Sequence, residues 1–251
     1  MRYWVIILSL LMLSCSDQKT VLLPEIGNAK ITEVNDVSAA YLFYDITQPD
    51  SVAFNRKNII STTNWLVNVD QRLTLKQAVP HLKYLQDKRR NAKMHKNEAA
   101  RNYFTCNDTI IKNLGFIDFT DITYDSDDKI IDLNYSIEIS NKDFSFHNTD
   151  STKLADTWSG YVYRILDLKF GFDNFYYISD NSPISHNVKL TEDVFYNYLV
   201  YVFESETIAN AFKIKLHFNG SISFQEYITV KSKLSQISNN KTIIESIEFI
   251  Y

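Results

Sequence analysis

Phe212-Lys213-Ile214-Lys215-Leu216-His217-Phe218-Asn219-Gly220 is the stretch whose reading decides the fold class. Its apolar residues recur at every second position, the period of a strand with one buried and one wet face. It runs into Asn-Gly, the strongest short hairpin signal, because a tight turn needs residues that tolerate positive φ. A two-residue loop would oppose Phe218 to Ser221 and put the two apolar faces on opposite sides. A three-residue loop pairs Phe218 with Ile222 and Leu216 with Phe224, so the longer loop or an adjacent bulge is expected.

The same alternation recurs outward from there. Ile131, Leu133, Tyr135, Ile137 and Ile139 alternate with Asp132, Asn134, Ser136, Glu138 and Ser140, the clearest strand in the chain. Residues 40–46, 64–69, 116–124 and 158–170 read as further strands, and Ile243, Ile247, Phe249 and Tyr251 share one face of a last one. Gln48-Pro49-Asp50-Ser51 is a turn, since Pro presets φ and Asp bonds local backbone. Two helices are expected. Thr74-Leu-Lys-Gln77 is a capping box ahead of Leu75, Val79, Leu82 and Leu85, which predicts a helix over 74–90 with Pro80 in its second turn. Thr191-Glu-Asp before Phe195, Leu199 and Val202 predicts another near 192–210. The fold class is α+β, strand-dominated, with antiparallel sheets and about two helices. No internal repeat of fixed period is visible. The polar stretch 125–129 suggests a boundary between an α+β region, 29–125, and a β-rich region, 126–251, within one domain or between two.

The N-terminus carries an address. Arg2 precedes the apolar run from Val5 to Leu13, broken only by Ser9, and the run is half the roughly 20 residues a membrane-spanning helix needs. It therefore reads as a signal peptide over 1–14. Met12-Leu13-Ser14-Cys15 resembles the lipobox of bacterial lipoproteins, which implies cleavage before Cys15, acylation of its thiol and anchoring through lipid; Met12 and Leu13 fit that pattern loosely. Ser16 in place of Asp implies the outer membrane. Residues 15–28, with Pro24 and Gly27, read as the lipidated cysteine and a tether. With Cys15 acylated, Cys106 lacks an intramolecular partner, so a disulfide and cysteine-rich metal sites are excluded, and Cys106 reads as a small buried side chain.

Composition narrows the function. Lys+Arg number 26 against 30 Asp+Glu, which argues against a nucleic-acid partner. Five glycines form no phosphate-cradling loop, and five histidines include no HxxxH pair, so no cofactor or metal is expected. The basic run Lys88, Arg89, Arg90, Lys93, Lys96 reads as a solvated face. The acids Asp118, Asp121, Asp125, Asp127, Asp128 and Asp132 fail as a calcium loop, because Lys129 and Ile130 stand where an oxygen ligand and Gly are needed.

Ser126-Asp-Asp-Lys129, Ser179-Asp180-Asn181 and Lys241-Thr242-Ile243 resemble, in order, the three motifs of the penicillin-binding and β-lactamase family. The resemblance implies acyl transfer by Ser126, but that nucleophile opens a buried helix whereas Ser126 lies in an expected turn, and Ile243 replaces a required Gly. Trp65, Trp158, Tyr161, Tyr163, Tyr176 and Tyr177, with Phe175, form the candidate ligand platform, since sugar rings stack on aromatic faces; aromatic residues on strands also serve as core. The expectation is a lipid-anchored envelope protein that works by binding or scaffolding, with an envelope protein as its partner and no catalytic residue assigned. The alternatives are surface carbohydrate capture, or hydrolysis of an envelope polymer by residues scattered in sequence, among them a long-range His/Asp pair.

Overall fold

The computed structural model describes residues 19–92, 97–126, 135–139, 163–172, 175–180, 187–204, 211–239 and 242–251. The fold is α+β and strand-dominated, as expected, but its sheets are mixed. The first sheet contains β1 (Glu25–Ile26), β2 (Val37–Tyr44), β3 (Val52–Asn55), β4 (Asn64–Val69), β5 (Asn102–Asp108) and β6 (Asn113–Asp118). The second contains β7 (Thr123–Asp125), β8 (Tyr135–Ile139), β9 (Tyr163–Phe172), β10 (Phe175–Asp180), β11 (Asn187–Leu190), β12 (Ala211–Phe218) and β13 (Thr242–Ile250). The described helices are α1 (Leu75–Arg90), α2 (Glu192–Glu204) and α3 (Phe224–Ile237), one more than expected.

The hairpin expected at Asn219-Gly220 does not form. β12 pairs in parallel with β9 on one side and with β13 on the other, so neither edge is left for a returning strand. The chain turns instead into α3, capped by Ser223, whose hydroxyl accepts from the Glu226 amide while Glu226 accepts from the Ser223 amide. Phe224, expected on a strand, is the first helical residue.

Although the sequence shows no repeat of fixed period, the topology repeats. β2 and β3 form an antiparallel hairpin, β4 pairs in parallel with β2, α1 follows, and β5 pairs in parallel with β4. β9, β10, β12, α3 and β13 repeat this plan, with β11 and α2 inserted before β12. The repeats join at their helix starts, where Thr74 and Ser223 form an antiparallel bridge. The first amides of an α-helix lack intrahelical acceptors. Here Leu75 N–H donates to Ile222 O at 2.8 Å and Lys76 N–H to Gly220 O at 2.8 Å, while Phe224 N–H donates to Leu73 O at 2.7 Å and Gln225 N–H to Gln71 O at 3.2 Å. Each repeat caps the other's helix.

α1 and α3 lie between the sheets. Tyr227 of α3 packs edge-on against Phe104 of the first sheet and Phe218 of the second, and one core cluster joins residues from both sheets and all three helices. β7, from the N-terminal side of the suggested boundary, pairs with β13 in the second sheet. Gly171 sits at φ +76°, and a Cβ there would lie 2.0 Å from Ile222 Cγ2, so the β9 end and the α3 loop approach closely only through this glycine.

The tether expected over 15–28 is corrected. From residue 19 the chain is bound to the body: Gln71 N–H donates to Leu22 O, Leu22 N–H to Asp70 Oδ2, Asn107 N–H to Pro24 O, and β1 pairs with β5. The strands expected over 40–46 and 64–69 match within a few residues, as do α1, which runs through Pro80, and the turn before Val52. The strand expected over 116–124 is instead divided between β6, which ends at Asp118 in the first sheet, and β7 in the second, with a turn between them in which Ile122 N–H donates to Phe119 O. The helix expected over 192–210 is described to Glu204, the strand expected over 158–170 from Tyr163, and that over 130–140 at Tyr135–Ile139; the remaining residues of each, and 1–18, lie outside the described residues.

Candidate functional sites

Trp65 is not part of an exposed platform. Its side chain points to the core at 1% exposure, its indole N–H donates to Ile60 O at 2.7 Å, and the Arg89 guanidinium lies 3.9 Å over its ring. Arg89, expected on a solvated face, is buried with it. Its Nε donates to Asn102 Oδ1 and its Nη2 to Thr63 O, Nη1 has no partner, and burial lowers its pKa to about 10. Trp158 and Tyr161 lie outside the described residues, and Tyr163 and Tyr177 are described by backbone alone, in β9 and β10. Tyr176 is half-buried against Phe170, Phe195 and Tyr196, and burial, then the charge of Glu192, pushes its phenol up to about 12. It flanks the core under α2.

A different aromatic surface emerges on the first sheet. Ala40, Leu42, Trp65, Val67, Phe104 and Cys106 point toward the helices, so alternation places Tyr41, Phe43, Leu66 and Tyr103 on the opposite face. Tyr41 and Phe43 stack at 5.7 Å with rings 9° apart. Leu66 pairs across to Tyr103, and the face carries no ionised group on β2, β4 or β5. Burial raises the Tyr103 phenol first, with the Asp118 charge adding to it.

The corresponding face of the second sheet is charged. Asp167 and Lys169 of β9 and Lys213, Lys215 and His217 of β12 share it, with Phe249 and Tyr251 beside them. Here Asp167 Oδ1 lies 2.9 Å from His217 Nε2, and His217 Nδ1 lies 3.0 Å from the Tyr251 hydroxyl, with the imidazole stacked on Phe249 at 4.8 Å. This is the long-range His/Asp pair that spacing alone left open; the parallel register of β9 and β12 brings together residues 50 apart. In chemical terms it is an acid–imidazole–phenol line, in which the carboxylate fixes the tautomer that accepts the phenol proton. The same register shows Ile247, Phe249 and Tyr251 on this outer face, while Glu248 and Ile250 are the buried residues of β13.

Glu248 is fully buried. It accepts from Tyr227 Oη at 2.7 Å and forms an ion pair with Lys231, and Tyr227 Oη lies 3.4 Å from Tyr124 Oη. Burial, then the Glu248 charge, pushes both phenols well above their usual range. The quartet ties β7 and α3 to β13. A shallow pocket of about 360 Å³ lies between α2 and α3, lined by Asp193, Tyr196, Asn197, Lys233, Gln236 and Ile237. Lys233 bridges Glu192 at 2.5 Å and covers the Tyr196 ring at 4.6 Å, and Tyr196 Oη is buried with no partner.

The remaining candidates stay apart. Arg101 binds Asp118 and Asp121, so these two acids form an ion-pair cluster. Ser126 follows β7, where its hydroxyl accepts from Lys83 Nζ at 3.3 Å, and Ser179 is buried in β10; Lys129 and Lys241 lie outside the described residues. Cys106 is buried, and burial first, then Asp108, pushes its thiol up to about 12. Among the described residues no cluster of His, Cys, Asp and Glu is placed to hold a metal, and no helix is long and apolar enough to cross a membrane. No family model, curated protein or solved structure matches this chain.

Proposed function

We propose that this chain is a lipid-anchored protein of the cell envelope, favouring the outer membrane, that works by binding or scaffolding an envelope protein through the outer face of its first sheet. The observation that carries the binding surface is the uncharged aromatic face of Tyr41, Phe43, Leu66 and Tyr103, opposite the face that α1 packs on. Aromatic side chains supply large contact area at low entropic cost, and charged groups are depleted from interface cores. The leader ending at Cys15 supports the anchoring.

The test is a mild-crosslinking pull-down of the lipidated chain from its native envelope, with Tyr41→Ala/Tyr103→Ala as the comparison. A stoichiometric protein captured by the native chain and lost with the double variant is the expected result. Recovery of the chain alone, with the same face binding on a glycan array, would replace the protein partner with a carbohydrate. A second reading, polymer hydrolysis, draws on the Asp167–His217–Tyr251 line. Turnover of envelope polymer that His217→Gln abolishes would favour it over binding.

A further inference from the structure

Strands β1, β2, β4 and β5 run in parallel, so the turn after β2, the loop after β4 and the turn after β5 all lie at one end of the first sheet. The segment leading from Cys15 arrives at this end: Lys19 pairs with Asp45 at 2.6 Å, and in the loop after β4 the Gln71 amide donates to Leu22 O while the Leu22 amide donates to the Asp70 carboxylate. Four residue steps separate Cys15 from Lys19, a reach of at most about 14 Å; measured to Leu22, should the exposed ion pair open, it is about 25 Å. A folded chain of this length has a radius of gyration of about 18 Å and is ~45 Å across. The leash is shorter than the body, so a body acylated at Cys15 cannot turn its opposite end to the bilayer.

The surface at that end suits a bilayer. Twelve large hydrophobic residues are exposed among the described residues, and six of them, Leu22, Tyr44, Ile46, Ile110, Ile111 and Leu114, are here, with Ile46 at 75% exposure on the turn tip. Arg72 stands 4.8 Å over the Tyr44 ring, and Lys19 is half-exposed beside it. Apolar tips flanked by an interfacial Tyr and long cationic side chains are what a headgroup layer accommodates. The carboxylates Asp45, Asp70 and Asp108 are each engaged by Lys19, Arg72 or backbone amides; Glu25 and Asp50 are exposed acids there, Asp50 accepting from the Val52 amide and lying 3.4 Å from His81 Nε2.

The geometry points to a membrane-apposed end: the strand-end surface bearing Leu22, Tyr44, Ile46, Ile110, Ile111 and Leu114 rests on the lipid headgroups of the bilayer that holds the Cys15 acyl chains. This inference rests on the anchor proposed above. It fixes the orientation of the whole protein, with the strands standing toward the membrane and the aromatic face turned sideways, open to a neighbour in the same membrane.

The test uses the full lipidated chain in phosphatidylethanolamine–phosphatidylglycerol vesicles carrying a headgroup nitroxide. An environment-sensitive fluorophore is placed at Ile46→Cys or, as the control, at Ile60→Cys, an exposed position before β4 at the opposite end of the sheet. Both sites are exposed and Cys106 is buried, so folding and labelling are preserved. Severalfold stronger quenching and a blue-shifted emission at position 46 relative to 60 is the expected result. Equal quenching at the two positions, with the protein bound to vesicles and its Cys15 lipid seen by intact mass, overturns the orientation and leaves the anchor standing. A mature chain with no lipid on Cys15 overturns both.

Discussion

Leu42, Val69 and the Asp70 amide in the first repeat stand where Phe170, Phe218 and the Asn219 amide stand in the second: Leu42 pairs with Val69 and accepts from Asp70 at 2.9 Å, and Phe170 pairs with Phe218 and accepts from Asn219 at 3.0 Å. One step along, the repeats part. Val67 pairs across to Phe104, whereas Leu216 pairs across to Glu248. The first repeat fills that interior place with an aromatic ring stacked on Phe119 at 3.9 Å, the second with a carboxylate held by Tyr227 and Lys231. On the outer faces the first is aromatic and uncharged across β2, β4 and β5, with the Arg101–Asp118 ion pair only at its β6 edge, whereas the second is charged across β9 and β12. Backbone pairing and reciprocal helix capping are what the two repeats share, and side chains are free to differ wherever those two constraints are met.

The largest expected effect tests the interior difference. Glu248→Ala strands the Lys231 ammonium and the Tyr227 hydroxyl in the core, at a cost of about 3–5 kcal/mol in urea unfolding. Phe104→Ala should cost about as much, through a cavity. The two losses differ in remedy. Glu248→Leu with Lys231→Met removes both charges and should recover most of the stability, because a buried ion pair is worth little more than apolar residues of its volume. A double variant as unstable as Glu248→Ala would show that the quartet itself, through Tyr124 and β7, holds the second sheet together.

The loops after β4 and β12 give the next effect. Burial alone would raise the Asp70 pKa, but hydrogen bonds from the Arg72 side chain and backbone and from Leu22 outweigh it and hold the carboxyl below its usual range. A depressed folded pKa contributes stability that is complete above the unfolded value near 4 and lost as the pH falls below it. Asp70→Asn is expected to cost about 2 kcal/mol at neutral pH, and its deficit against the native chain should shrink as the pH falls from about 5 toward 3. Asn219, bonded to Ser221 in its own loop, has no such pH dependence to lose. A deficit constant across that range would mean that Arg72 contributes packing over Tyr44 and little electrostatics.

The comparison also explains what the sequence disclosed. The capping box at Thr74 was legible because it is local, and the equivalent Ser223-x-x-Glu226 was equally local but stood behind Asn219-Gly220, a turn signal that in isolation favours a hairpin. The outcome depends on β9 and β13 occupying both edges of β12, which no residue near Asn219 records. The topological repeat leaves little trace in the sequence because what its halves share is hydrogen bonding by backbone amides, and Leu73-Thr74-Leu75 against Ile222-Ser223-Phe224 is the short run where it surfaces in side-chain character. The side on which Trp65 falls is illegible for a related reason: alternation gives two faces and does not say which one meets the helices. The Asp167–His217–Tyr251 line required strand register, and residues far apart in the chain carry no spacing signal.

Smaller effects bear on the shared frame. Thr74→Ala and Ser223→Ala should each cost about 1 kcal/mol, the usual value of an N-cap. Because the two residues bridge directly, their costs should fail to add in the double variant. Strict additivity would mean that the helices are capped independently and that the reciprocal amide bonds of Leu75 and Phe224 persist without the side chains.

The smallest effect is expected on the outer faces, and it separates what the fold requires from what it displays. Tyr41 touches Phe43 on a half-exposed surface, and Lys215 stands on the charged face of β12. Tyr41→Ser and Lys215→Ser are each expected to change unfolding free energy by about 0.5 kcal/mol or less, since neither fills the core nor satisfies a buried group. If Tyr41→Ser keeps its stability and loses partner capture, the aromatic face is maintained for contact. If it costs as much as a core truncation, the aromatic residues of the first repeat serve the sheet itself, and the difference between the two outer faces has a structural cause with no bearing on binding.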